Sequence, residues 1–184
     1  YNDIPGVDYE DHFLTFKRAG NHAAYLQKVI EYADGAAVEV ACGTGTQALA
    51  VAPYVGETVG VELDADRVSL TSDRARRMGD RVTVIRGDMF SLPFDADRFS
   101  VGFNSGVFQH FPDSGVQSFL MELSRVCRDY LVLSVANESY PHNGRASRRL
   151  LSHERWCRLL GGHDRLELVA DGRHGDRTHD VFDG

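Results

Sequence analysis

Short apolar runs alternate along the chain with longer amphipathic stretches, the rhythm of βαβ units built around a parallel sheet. Ala23 to Tyr32 predicts a helix, because Ala24, Leu26, Val29 and Ile30 fall near one face, and Gly35 stops it. Ala37 to Cys42 is apolar enough to predict a first strand buried on both faces. Gly45 to Ala52 predicts a helix that ends near Pro53, and Thr58 to Leu63 a second strand. Asp64 or Asp66 caps the next helix, which runs through Arg77. Arg81 to Arg86 reads as a third strand closed by Gly87-Asp88, with Leu92-Pro93-Phe94 a loop beyond it. Arg98 to Asn104 reads as a fourth strand, followed by a helix capped by Asp113 or Ser114 and ending about Val126. Tyr130 to Ala136 is a fifth strand, and Asn137 to Ser147 a polar loop. Ser152 to Leu160 is a helix closed by Gly161-Gly162. Leu166 to Val169 and Asp180 to Phe182 supply two closing strands.

Composition narrows this picture without changing it. The 184 residues suit a single domain, and the 42 % hydrophobic share is enough for a core. Twenty basic against 27 acidic residues leave a net charge of −7, which argues against a nucleic-acid partner. Arg145, Arg148 and Arg149 form a local basic cluster that reads as a solvated, helix-flanking face. Apolar runs stay short of a membrane span, and Tyr1-Asn2-Asp3-Ile4-Pro5 shows no basic-then-apolar leader. Cys42, Cys127 and Cys157 are odd in number and widely spaced, which excludes a disulfide framework and a CxxC knuckle. A reducing, cytoplasmic setting is the expectation.

The candidate chemistry centres on Gly43-Thr44-Gly45-Thr46, between the first strand and a helix. Glycines there let the backbone approach a ligand, and a helix start offers N–H donors. Gly43-Thr44-Gly45-Thr46-Gln47-Ala48 also fits the dinucleotide pattern G-x-G-x-x-A. Glu39, inside the apolar strand, argues against a dinucleotide: a buried acid requires a donor or cation, and a pyrophosphate supplies neither. A salt bridge at the strand edge is the plainer role for Glu39.

Residues 38–46, Val-Glu-Val-Ala-Cys-Gly-Thr-Gly-Thr, resemble the first motif of class I, Rossmann-like S-adenosylmethionine-dependent methyltransferases. Thr46 stands where the most typical version has a third glycine. Val59-Gly60-Val61-Glu62-Leu63-Asp64 is similar to the family's second strand, with Glu62 17 residues past Gly45 and placed to accept from both ribose hydroxyls. Arg86-Gly87-Asp88-Met89 is similar to the third-strand motif, in which the resemblance gives Asp88 the adenine amino group and Met89 the ring face. Phe94 to Asn104 and the continuation to Asp113 resemble the fourth-strand segment. The resemblance spans roughly residues 36 to 136. It implies a single-domain α/β fold with a doubly wound, mostly parallel seven-stranded sheet of order 3-2-1-4-5-7-6, strand seven antiparallel. It divides the chain into an N-terminal helical lid (1–35), a cofactor-binding core (36–136) and a C-terminal helix with closing hairpin (137–184). The cofactor set it implies is Glu39, Ala41, Gly43, Thr44, Gly45, Glu62, Leu63, Gly87, Asp88, Met89 and Asn104, around S-adenosyl-L-methionine, with S-adenosyl-L-homocysteine as product.

The expected function is methyl transfer to a small-molecule acceptor through an O-, N- or C-nucleophile by in-line displacement. No basic face and no Asn-Pro-Pro-Tyr-like tetrapeptide at strand four point elsewhere; Asn104-Ser105-Gly106-Val107 departs from it. His110, near the carboxyl end of strand four, is the candidate base, with a structural role in the turn as the alternative. Tyr9, His12 and Arg18 are candidates for a lid, against an amphipathic helix whose aromatics face the core. His163, Asp164, His174, Asp176 and His179 fit no ligand spacing, so no metal is expected. Two rivals stand: an NAD(P)-binding oxidoreductase using Gly43, Gly45 and Ala48, and a non-catalytic S-adenosylmethionine-binding module.

Overall fold

The computed structural model describes residues 23–77, 79, 81–140, 149–163, 165–174 and 179–183. The lid candidates Tyr9, His12 and Arg18, together with Arg145, Arg148, Asp164 and Asp176, lie outside them.

The strands are β1 (Ala36–Val40), β2 (Glu57–Glu62), β3 (Val82–Arg86), β4 (Phe99–Ser105), β5 (Cys127–Ala136), β6 (Ala170–His174) and β7 (His179–Asp183). They form one seven-stranded sheet in the order β3-β2-β1-β4-β5-β7-β6. The first five run parallel, and β7 pairs antiparallel with both β5 and β6. The helices are α1 (Ala23–Tyr32), α2 (Thr46–Val51), α3 (Ala65–Arg77), α4 (Asp113–Val126) and α5 (His153–Gly161). This is the doubly wound order expected from the resemblance.

Side-chain alternation along the strands explains the layering. Val38 and Val40 of β1 and Leu131, Leu133 and Val135 of β5 join a core with Phe119, Leu120 and Leu123 of α4 and Trp156 of α5. Ala37 and Val132, one residue out of step with these, pack instead with Tyr25 and Val29 of α1. Glu39 shares the second set's parity, so its carboxylate enters the sheet face that α1 and α2 cover.

Boundaries differ from the sequence reading where tertiary contacts override local pattern. β5 begins at Cys127, directly from α4, because Cys127 pairs with Phe99 of β4. The first closing strand is Ala170–His174, not Leu166 to Val169. Asp64 is confirmed as a cap, accepting from the amides of Asp66 and Arg67 at 3.0 Å each. Asp113 and Ser114 do not cap α4: Pro112 holds that position, and Asp113 instead pairs with Arg149 and Arg155. Arg149 is therefore no solvated bystander. Its guanidinium also donates to the Phe111 carbonyl, and its amide to that of Gln109, which pins the turn after β4.

Candidate functional site

The carboxyl ends of β1, β2 and β4 converge on the segment Ala41–Gly45, as ligand sites do in open α/β sheets. Ala41, Gly43 and Gly45 all have positive φ, at 56°, 56° and 67°. Ala41 is the costly one, because a Cβ in that region is strained. The turn closes through Gly45 N–H donating to the Cys42 carbonyl at 2.8 Å. From behind, Thr71 of α3 donates to the Gly43 carbonyl at 3.2 Å, and Arg74 to the Thr44 carbonyl at 3.0 Å. The two glycines serve different ends. A methyl group at Gly45 would overlap Cγ2 of the buried Thr71, whereas one at Gly43 would meet nothing within 4 Å. Gly45 seats the loop on α3, and Gly43 leaves open space above it.

Two carboxylates hold this loop. Glu39, 4 % exposed, accepts from the Ala48 amide at 2.7 Å. Burial, with a smaller contribution from the nearby Glu62 charge and an opposing one from that hydrogen bond, pushes its carboxyl up to about 8. The expected free donor at the start of α2 is thus already occupied at Ala48. Glu62, 8 % exposed at the end of β2, accepts from the Gly43 amide at 2.8 Å with Oε2 and from the Asp64 amide at 3.0 Å with Oε1. Among the described residues, no Lys or Arg pairs with either acid.

The remaining cofactor candidates border the same edge. Gly87 donates to the Glu62 carbonyl at 3.0 Å, which brings the end of β3 against that of β2. Asp88 is exposed and turns the chain by accepting from the Phe90 amide at 2.9 Å. Leu63 is 61 % exposed, unusual for a leucine beside a strand end, and Met89 is partly buried against the core. Asn104, 1 % exposed on β4, donates to the Val40 carbonyl, and its Oδ1 is buried with no partner among the described residues. That orphaned acceptor, and the open space over Gly43, suit a ligand that carries donors. His110 ends the 3-10 turn Phe108–His110 and is half-buried, its amide donating to the Val107 carbonyl at 3.0 Å. Thr71 and Arg74 were not anticipated from the sequence. They stand three apart on one helix face, and the structure buries Arg74 to 2 % exposure, rare for an arginine.

Residues 37–130, just over half of the chain, match the family described as Methyltransferase domain. The chain belongs to that family. A curated relative, the uncharacterized methyltransferase YcgJ of Bacillus subtilis, is 33 % identical over 92 residues, which are 50 % of this chain and 36 % of that protein. The match thus covers little more than a third of the length of that relative. The solved structure of YcgJ superposes with a TM-score of 0.65 at 23 % identity, covering 82 % of this methyltransferase domain and 72 % of that chain. The PH0226 protein of Pyrococcus horikoshii OT3 gives 0.74 at 17 % identity, over 100 % and 93 %. A geranyl diphosphate methyltransferase, solved in complex with S-adenosylmethionine, gives 0.74 at 15 % identity, over 99 % and 92 %. These likenesses carry the fold, and family membership carries the cofactor, S-adenosylmethionine. No helix among the described residues is long and apolar enough to cross a membrane.

Proposed function

We propose that this methyltransferase domain transfers the methyl group of S-adenosylmethionine to a small-molecule acceptor bearing an oxygen, nitrogen or carbon nucleophile. One observation carries the reading: Glu39 and Glu62 bracket the Gly43 loop, and no Lys or Arg among the described residues neutralises them. The Glu62 carboxylate would repel a dinucleotide pyrophosphate set there and attract a nucleoside bearing an ammonium and a sulfonium, while Glu39, kept protonated by burial, would offer a neutral carboxyl to the same ligand. This favours the methyl-donor reading over the NAD(P) reading of the same glycines.

The residues present fit such a ligand. Glu62 has lone pairs left beyond its two backbone contacts, and these accept from the ribose hydroxyls. Asp88 accepts from the adenine amino group, with Leu63 and Met89 against the ring and Gly87 giving it room. The unpartnered Asn104 Oδ1 and the Glu39 carboxyl serve the ammonium end, over the backbone of Ala41, Gly43, Thr44 and Gly45. When bound, S-adenosylmethionine supplies an electrophilic methyl group that leaves S-adenosylhomocysteine behind. The protein's own part is to hold the acceptor in line and dry, and orientation alone contributes about 7–11 kcal/mol toward such a barrier. His110, in the turn pinned by Arg149, is our candidate for taking a proton from a hydroxyl or amine acceptor.

A small acceptor follows from the acidic balance, −7 overall. Cys42, Cys127 and Cys157 form no disulfide among the described residues, in keeping with a reducing, cytoplasmic setting. Calorimetry with S-adenosylmethionine, S-adenosylhomocysteine and NADH tests the cofactor. Binding of the first two without NADH is expected; NADH binding without S-adenosylmethionine binding overturns the reading. Methyl transfer to a panel of small hydroxyl, amine and carbon nucleophiles, with RNA alongside, tests the acceptor. Turnover on RNA alone would move the assignment to nucleic acid, and binding without any turnover would favour a sensor module.

A further inference from the structure

Outside the cofactor edge, three potential metal ligands meet between α5 and β6. His153 and Cys157 stand one helical turn apart at i and i+4, on one face of α5. Asp171, the second residue of β6, reaches them from the sheet. His153 Nε2 and Asp171 Oδ2 are 2.8 Å apart, Cys157 Sγ and His153 Nε2 3.5 Å, and Cys157 Sγ and Asp171 Oδ2 3.3 Å. His153 and Cys157 are half-buried and Asp171 is exposed, so the cluster opens to solvent.

The arrangement is not that of a nucleophilic triad. In a Cys-His-acid relay the thiol and the carboxylate address opposite ring nitrogens, so that one orients the imidazole and the other is deprotonated by it. Here both converge on Nε2. Three donor atoms of different side chains that crowd a single point are what a shared cation requires. Tetrahedral coordination at bond lengths of about 2.0–2.3 Å separates neighbouring ligand atoms by roughly 3.3–3.6 Å. Two of the three observed separations already match, and the third needs an opening of about half an ångström.

We propose that His153, Cys157 and Asp171 form a binding site for a zinc-class divalent cation. The donor set of thiolate, imidazole and carboxylate selects borderline-soft ions over magnesium or calcium, which take oxygen shells. On binding, the metal–sulfur bond replaces the Cys157 S–H bond and the proton leaves to solvent. The cation ties α5 to β6, and through the β6–β7 and β7–β5 pairings to the parallel sheet. The proposal is independent of the methyl-transfer reading, since none of the three residues belongs to the cofactor edge. Sequence spacing conceals the set, because its third ligand comes from a separate strand.

The test titrates the metal-free full chain with cobalt(II) as a spectroscopic stand-in, then displaces it with zinc. One equivalent should bind with tetrahedral ligand-field bands and a thiolate-to-cobalt charge-transfer band. Cys157→Ser should abolish the charge-transfer band, and Asp171→Asn and His153→Gln should each weaken binding at least tenfold. Zinc should also protect Cys157 from alkylation in the native chain, with Cys42 and Cys127 shielded by burial in any case. S-adenosylmethionine affinity should be unchanged in all three variants. Absence of the charge-transfer band, or cobalt affinity unaltered in Cys157→Ser and Asp171→Asn, would overturn the proposal. Because protection of Cys157 is read in the unmutated chain, an unfolded variant cannot obscure the answer.

Discussion

The Glu39 carboxylate, buried within β1, takes the amide hydrogen of Ala48 in α2 at 2.7 Å. One acid thereby fixes the strand-to-helix turn from beneath while Glu62 fixes it from the neighbouring strand. The glycine loop is thus held by two carboxylates as well as by its own glycines and the α3 side chains behind it.

This relationship has a pH signature. Burial raises the Glu39 carboxyl from its ordinary 4.5 to about 8. Between those values the folded chain holds a proton that the unfolded chain has lost. Stability supplied by this group is complete below about pH 4.5 and is lost as pH rises through about 8. Glu39→Gln keeps an acceptor oxygen for Ala48 and cannot ionise. The stability of Glu39→Gln relative to the parent should therefore rise by on the order of 1 kcal/mol per pH unit across that window. Urea unfolding of both chains from pH 5 to 9 measures it. Parallel profiles would show that Glu39 does not titrate in the window.

Glu62 carries the cofactor prediction. Glu62→Gln should weaken S-adenosylmethionine binding by about 1–3 kcal/mol, through loss of charge-assisted bonds. Glu62→Ala should weaken it at least as much and also lower stability, since the Gly43 and Asp64 amides lose their acceptor. Calorimetry beside thermal unfolding separates the two effects. Unchanged affinity in a folded Glu62→Gln would remove Glu62 from the site.

The sheet order came from the family resemblance, whereas the strands and their ends were legible in the sequence because apolar runs and glycine loops are local signals. Glu39, Glu62 and Asp88 could be placed for the same reason, each lying at a fixed step from a strand end. What the residues at 113, 149 and 155 do was not legible: Asp113 sits where a cap belongs, but two arginines from a later segment claim it. Thr71 and Arg74 were hidden because their targets are backbone carbonyls 28 and 30 residues away. The His153, Cys157 and Asp171 cluster was hidden likewise, since it forms only when β6 pairs back toward α5.

His110 tests how the reaction is driven. As the acceptor's base, His110→Ala should lower turnover about 10²–10⁴-fold, with cofactor affinity unchanged and the loss greatest for hydroxyl and amine acceptors. Steady-state rates against pH, for both chains, check it. A loss below tenfold would assign the turn at Phe108–His110 to shaping the pocket, with orientation supplying the catalysis.

Gly45 and Thr71 should be coupled. An alanine at position 45 inherits a φ of 67°, which costs roughly 1–2 kcal/mol, and its Cβ overlaps Thr71 Cγ2. Thr71 is fully buried and β-branched, so it cannot swing aside, and the overlap adds about 1–3 kcal/mol. Thr71→Ser removes that methyl group while keeping the hydroxyl that donates to the Gly43 carbonyl. Alone it should cost about 1 kcal/mol of packing. Combined with Gly45→Ala it should relieve the overlap but not the backbone strain, so the double variant should be more stable than the sum of the singles predicts. Urea unfolding of the four chains gives the coupling, expected at about 1–2 kcal/mol in favour of the double variant. Strict additivity would mean that backbone conformation alone, and not the approach of α3, requires glycine at position 45.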